Sequence, residues 1–325
     1  MANQTTKPAD TKFQDPFSLA GYKERLNQNL DVFNGQSAGT IVLTTERKHG
    51  DFDHEAFIKG SPGAIARQDQ DVLVPVDDGK LTMEVSTGVK LNRQILPKTW
   101  TLSSTRKPGF SMDIFRFEAG AQAAEQVVEE MLNTSLSGLR TALVGQASNS
   151  YVVPTSGVLN TDALAIALSK MGDRASRVKA WAMHSKTYWD LVRGQALPSV
   201  HGDQVAGAIV YGASPASYGR PIVVTDAEAG LVDGTDYFTL GLTEGAVTAE
   251  ETEDMFITVT DPITGYNQIF FRMQGEYAFN LKLKGFSYDT TVGKNPVASA
   301  VAASNSWKKI VASSKDLAGV VIKSK

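Results

Sequence analysis

The chain has 325 residues, enough for two ordinary domains or one large domain with extensions. A hydrophobic share of 42% and a charged share of 21% belong to a folded globular protein and exclude a disordered one. The formal net charge of −3 sets up no strong field toward nucleic acid, and the absence of cysteine removes disulfides, thiolate metal sites and cysteine nucleophiles together.

Residues 1–16 are polar and aperiodic and read as a flexible arm. They hold no apolar run behind a basic start, so no secretory signal is expected, and cysteine-free composition suits folding in a reducing cytoplasm. The longest apolar runs, such as residues 297–303, are too short to span a bilayer, so no membrane contact is expected. Leu19, Tyr22, Leu26, Leu30 and Phe33 recur at spacings of three and four and predict a short amphipathic helix over residues 17–33. Gly35 and Gly39 end it, and the β-branched run 40–45 predicts a strand.

Residues 46–78 mix charge with Gly50, Gly60, Pro62 and Gly63 and show no core pattern, which predicts a long functional or mobile loop. Strand-like runs at 81–85, 89–95 and 99–102 then suggest a long β-hairpin that leaves the body. A helix of about 30 residues is predicted over 113–144, on the stripe Phe117, Ala121, Ala124, Val128, Met131 or Leu132, Ser135, Leu139 and Leu143. Ser111 or Asp113 can cap its start, with Glu118 and Glu125 toward that end and Arg140 toward the other. Such a rod serves as a spine.

Beyond Pro154 the pattern is mixed. Helices are predicted at 162–170 and, capped by Ser185, at 185–192; strands are predicted at 178–183, 208–211, 221–225, 237–242, 256–259, 268–273 and 277–286. In the last, Tyr277, Phe279, Leu281 and Leu283 alternate with Ala278, Asn280, Lys282 and Lys284, so one face is buried and the other is wet or covered by a partner.

Few residues suggest chemistry. Gly35-Gln-Ser-Ala-Gly39 matches G-x-S-x-G, but a nucleophile elbow at Ser37 needs a strand before it and a helix after it, and here the order is reversed. His49, Asp51, Asp53, His54 and Glu55 form a dense polar cluster without a metal-motif spacing, which reads as a solvated loop tip. His184 reads as a hydrogen-bonded structural histidine, and His201 lies in a loop without a partner signal. The Asn133 sequon lies inside the spine helix of a chain with no signal and is expected to be unmodified. No phosphate loop or dinucleotide fingerprint occurs. Accordingly no catalytic, cofactor-binding or metal-ligating residue is assigned, and no cofactor is expected. Lys294, Lys308, Lys309, Lys315, Lys323 and Lys325 are opposed within 294–325 only by Asp316; they read either as a contact for phosphates or an acidic neighbour, or as a solvated tail.

Three segments carry a resemblance. Ala180-Trp-Ala-Met-His-Ser-Lys-Thr-Tyr-Trp-Asp-Leu191, Tyr218-Gly-Arg-Pro-Ile-Val-Val-Thr-Asp226, and Phe117-Glu-Ala-Gly-Ala-Gln-Ala-Ala124 with Leu132-Asn133, in that architectural setting, resemble the major capsid proteins of tailed bacteriophages, whose shell fold is of the Hong Kong 97 type. The resemblance covers about residues 33–286. It implies an α+β fold with an N-terminal arm and first strand (1–45), an extended β-hairpin loop (46–96), a peripheral domain with the spine helix (97–157), an α/β axial domain (158–248), and peripheral return strands with a C-terminal segment (249–325).

It also implies a structural protein that self-assembles into hexameric and pentameric capsomers of an icosahedral shell. Such a shell encloses double-stranded DNA, with non-specific contact to it, and is assembled in the host bacterial cytoplasm. The short sequence before Phe17 suggests a separate scaffolding protein. A portal is a further partner, and a decoration protein is allowed. Lys59 or Lys80 could lie on the loop where some relatives crosslink, but no motif identifies the partner asparagine or acid. Three other readings stay open at this point: an encapsulin-like nanocompartment shell, a small serine hydrolase using Ser37, and a tail-tube protein, which would lack the spine.

Overall fold

The computed structural model describes residues 16–45, 50–59, 70–71, 82–101, 103, 112–154, 157–193, 203–205, 208–212, 217–226, 228–263 and 270–325. In chain order, α1 (Pro16–Gln36) leads into β1 (Ile41–Thr45); β2 (Phe52–Ile58) and β3 (Met83–Thr101) pair as a hairpin, and α2 (Met112–Val144) follows. The middle holds β4 (Ser150–Val152), α3 (Thr161–Met171), β5 (Val178–Met183), α4 (Ser185–Arg193), β6 (Asp203–Val205), β7 (Ala208–Tyr211), β8 (Ile222–Thr225), α5 (Glu228–Leu231), β9 (Val232–Asp233) and β10 (Asp236–Thr243). The chain ends with β11 (Val247–Ile263), β12 (Phe270–Leu283), β13 (Phe286–Tyr288), α6 (Ala298–Val301), β14 (Trp307–Lys309) and β15 (Gly319–Ser324). The expected arm falls outside the described residues, apart from Pro16.

Two sheets organise these elements. One is five-stranded, ordered β1-β11-β12-β3-β2. The other runs β4-β15-β10-β5-β8-β7-β6, with β9 pairing β10. The first core gathers α1, α2, the inner face of the five-stranded sheet and one face of the second sheet, through Phe33, Leu43, Val128, Met131, Phe279, Leu281, Leu240 and Val321. The second core lies on the other face of the second sheet, under α3 and α4, around Leu164, Met171, Trp181, Tyr188 and Ile322. Strands β8 and β15 send alternate residues to the two cores (Val223 and Val321 to one; Ile222, Val224, Val320 and Ile322 to the other), the mark of a sheet covered on both sides.

The spine helix α2 has 33 residues, about 50 Å at 1.5 Å per residue. Its stripe from Ala124 through Val128, Met131, Leu132, Ser135, Leu139 and Leu143 is buried. The first turns differ from expectation: Phe117 is 37% exposed and Ala121 only half-buried, because this end of α2 leaves the sheet and crosses α1. Backbone meets backbone at that crossing. A Cβ on Gly120 would stand 2.0 Å from the Ser18 carbonyl oxygen, and one on Gly21 would stand 2.3 Å from that of Phe117. Arg25 and Glu125 bridge the two helices at 2.6 Å. Tyr22 pins α1 to β11 by donating to Glu251 Oε1 at 2.9 Å; burial, and then the adjacent carboxylate, push the phenol well above its ordinary pKa, so it stays a donor.

Four expectations are corrected. The runs at 81–85, 89–95 and 99–102 form a single strand, β3, in which Pro97 sits at the irregularity between the Ile95↔Gly275 and Lys98↔Met273 pairs and so removes no regular ladder bond. The two strands expected at 268–273 and 277–286 are one, β12. The second face of β12 is only partly wet, since Ala278 and Asn280 are each 2% exposed. Finally, α4 is capped by His184 rather than Ser185: the imidazole Nδ1 accepts the Lys186 N–H at 3.1 Å, and Asp226 Oδ1 accepts that of Ser185 at 3.3 Å. The last strand, β15, lies between β4 and β10 in the second sheet.

Candidate functional site: the hairpin and its root

A strand alternates its side chains between two faces, so Phe52, His54, Ala56 and Ile58 share one face of β2 with their β3 partners Val89, Thr87, Val85 and Met83. At the root this face belongs to the core. Val89 and Leu91 are fully buried, and Phe52 stacks on Tyr288 with ring centroids 6.3 Å apart. One step out, the Thr87 N–H donates to Ser287 Oγ at 3.1 Å and the Ser86 hydroxyl to the Phe286 carbonyl at 3.4 Å. Beyond that the cover stops. Val85 is 48%, Ile58 65% and Met83 70% exposed. The core-facing row therefore runs off the body as a bare apolar surface, with Ile58 directly opposite Met83.

The opposite face of β2 carries Asp53 and Glu55, with Asp51 just before the strand. Asp53 Oδ2 lies 2.6 Å from Lys282 Nζ and accepts from Asn280 Nδ2 at 3.2 Å. Glu55 Oε2 lies 3.5 Å from the same lysine, and Asp51 Oδ2 lies 2.6 Å from Lys294 Nζ. His54 is on the other side, with Nδ1 3.1 Å from Thr87 Oγ1. The polar cluster read as a solvated loop tip is thus, from Asp53 to Glu55, an ordered strand whose period of two separates the carboxylates from the histidine; His49 lies outside the described residues. Among the described residues no group of three His, Cys, Asp or Glu is placed to hold a metal.

The remaining candidates are structural or fall outside the described residues. Ser37 is fully buried after a helix and before a strand, and its hydroxyl faces the carbonyls of Asn34 and Ile41 at 3.4 Å. His184 is the α4 cap, with Nε2 3.7 Å from Asp226 Oδ1. His201 and Lys80 lie outside the described residues. Lys59 pairs with Glu84 at 3.2 Å across the hairpin. Asn133 is within α2. Of the six C-terminal lysines, Lys294, Lys308, Lys315 and Lys323 each lie 2.5–2.7 Å from an aspartate: Asp51, Asp289, Asp173 and Asp236. Three of those aspartates come from outside 249–325, which the local sequence could not reveal. A groove of about 270 Å³ lies between α1 and α2, lined by Gly21, Arg25, Phe117, Ala121 and Glu125 among others. Among the described residues no helix is long and apolar enough to cross a membrane.

A long spine helix, a projecting hairpin, a sheet of long strands and a second α/β sheet define a class, the shell proteins of phage capsids. The solved capsid of cyanophage Pam1 matches at a TM-score of 0.52 and 8% identity, covering 100% of this chain and 99% of that one. A chain of Mycobacterium phage Bobi matches at 0.51 and 12%, covering 91% and 93%. The capsid of Ralstonia phage GP4 matches at 0.51 and 10%, covering 89% and 87%. At such identities the likeness shows the fold. No curated protein sequence matches. The chain belongs to the major capsid protein 13-like family, which it matches over residues 11–321. It is a structural protein of a tailed-phage capsid that assembles with copies of itself, and it is not an enzyme.

Proposed function

We propose that the chain forms hexameric and pentameric capsomers of an icosahedral shell around double-stranded DNA, with the β2–β3 hairpin of each copy laid over a neighbour. The carrying observation is the apolar row Val85, Met83 and Ile58, which continues the core face of the sheet and is left about half or more exposed. A protruding surface on one copy and a different receiving surface on the next make a heterologous contact, which builds a ring when the rotation between copies closes. In this reading the five-stranded sheet with α1 and α2 is the peripheral domain. The second sheet with α3 and α4 is the axial domain, and β4 and β15 are counted with it. A separate scaffolding protein and a portal are the further partners, assembly takes place in the bacterial cytoplasm, and DNA contact is local and non-specific.

The test is the double variant Ile58→Asp/Met83→Asp, followed by sedimentation and electron microscopy. Both side chains are exposed, so thermal unfolding of the unassembled subunit should stay within about 0.5 kcal/mol of the parent. The parent should reach capsomer-sized or larger species and the variant should not. A variant that assembles as the parent does would remove the hairpin from the interface.

A further inference from the structure

We propose that the acidic face of β2 and the lysines of the C-terminal third form a charge latch that clamps the root of the hairpin onto its own subunit, closed through a gap at Gly88. The role given to the latch, aiming the hairpin, rests on the reading of the hairpin as an assembly arm; the latch itself is a property of the single subunit.

The geometry begins with register. Asp53 pairs with Gly88 across the β2–β3 ladder, and Leu281 pairs with Val89, which brings Lys282 level with Gly88. Lys282 on β12 and Asp53 on β2 therefore stand on either side of the same glycine, with all of β3 between them. A lysine stem is long enough to cross one strand if nothing stands up from it. A Cβ at Gly88 would come 2.7 Å from Lys282 Cγ, closer than such atoms tolerate, and a tight 3.1 Å from Asn280 Oδ1. The missing side chain is what lets Lys282 lie across β3 and reach Asp53 at 2.6 Å and Glu55 at 3.5 Å.

Position in the sheet gives the latch its purpose. Among the described residues β2 is an edge strand, paired only with β3. Its side chains reach the body at its root, where Lys294 takes Asp51, Lys282 takes Asp53 and Glu55, and Phe52 stacks on Tyr288 beneath. The side chains of the Lys282–Asp53 pair are only 17% and 24% exposed, which shields it from solvent more than an ordinary surface pair. Unlatched, β2 can peel from β3 at the root and the ribbon loses its fixed direction. Latched, it leaves the body at one angle.

Hydrogen exchange by mass spectrometry on the unassembled subunit tests this, reading peptides over residues 50–58. In the parent these peptides should exchange slowly, and raising salt from about 0.05 M to about 1 M should change them little, because a contact pair shielded from solvent is screened far less than exposed charges. Lys282→Met should speed exchange there several-fold while leaving α2 unchanged, and Lys282→Arg should restore the parent rate. Gly88→Ala, which pushes Lys282 aside while keeping every charge, should behave like Lys282→Met. Parent-like exchange in Lys282→Met overturns the latch, as does parent-like exchange in Gly88→Ala. Neither outcome touches the assembly reading, which is decided on particles.

Discussion

Single residues decide which face of a helix or strand is buried, and Met131 is the sharpest case. It is 1% exposed in the middle of α2, inside the core shared with Tyr277, Phe279 and Leu281, whereas Glu129 two positions earlier is exposed. Met131→Asp leaves a carboxylate without a partner in an apolar contact and should cost about 3 kcal/mol or more, or force the acid to protonate. Glu129→Gln should shift stability by no more than about 0.5 kcal/mol. Thermal unfolding of the unassembled subunit, followed by circular dichroism, compares them. The reverse ranking would mean that the core face is assigned to the wrong side of the helix. Tyr277 belongs to the same neighbourhood: burial first, and then the Glu130 and Glu251 carboxylates, raise its phenol above the ordinary range against the opposing pull of Arg93. It is a neutral core residue and offers no titrating group to the function.

At the scale of elements, the crossing of α1 and α2 depends on two glycines. In a helix interior Gly→Ala ordinarily stabilises by about 1 kcal/mol. Gly35, in the last turn of α1, meets nothing within 4 Å of an added Cβ and should follow that rule as Gly35→Ala. Gly120→Ala should do the opposite and destabilise by about 1–3 kcal/mol, because its methyl would press on the Ser18 backbone. A rise in melting temperature for both would show that the helices can part at no cost.

The same pair of helices shows what the sequence makes legible. Periods of three and four found both, since Tyr22, Leu26, Leu30 and Phe33 and the stripe from Ala124 to Leu143 meet one continuous core. The strand β2 stayed hidden because Asp53, Glu55 and His54 look like loop chemistry until their partners are known, and Lys282 lies more than two hundred residues away. β3 was broken into pieces at Gly88 and Pro97, which in place are a crossing gap and a bulge. The cap of α4 was misplaced by one residue because histidine seldom takes that position. The apolar row Ile58, Met83 and Val85 had a faint signal in its alternation. Only the pairing of β2 with β3 shows that it continues a core face.

For the whole molecule the argument turns on what one copy leaves unfinished. The hairpin passes from a root held by Tyr288, Ser287 and Lys282 to an outer pair, Ile58 and Met83, that is mostly exposed. A lone two-stranded ribbon is marginally stable in water, so its outer pairs should open far more often than its root. In the unassembled subunit, amide exchange should therefore rise along the hairpin, slow near Phe52 and Val89 and fast near Ile58 and Met83. Assembly should flatten that gradient, because a neighbour supplies the cover that the subunit lacks and the outer pairs then open only with the interface. The comparison is made on peptides from the two strands, before and after particles form, with α2 as an internal reference that assembly should leave slow throughout. If the outer pairs exchange equally fast in closed particles, the hairpin makes no contact there. The work of closing the shell would then fall on some other surface of the chain.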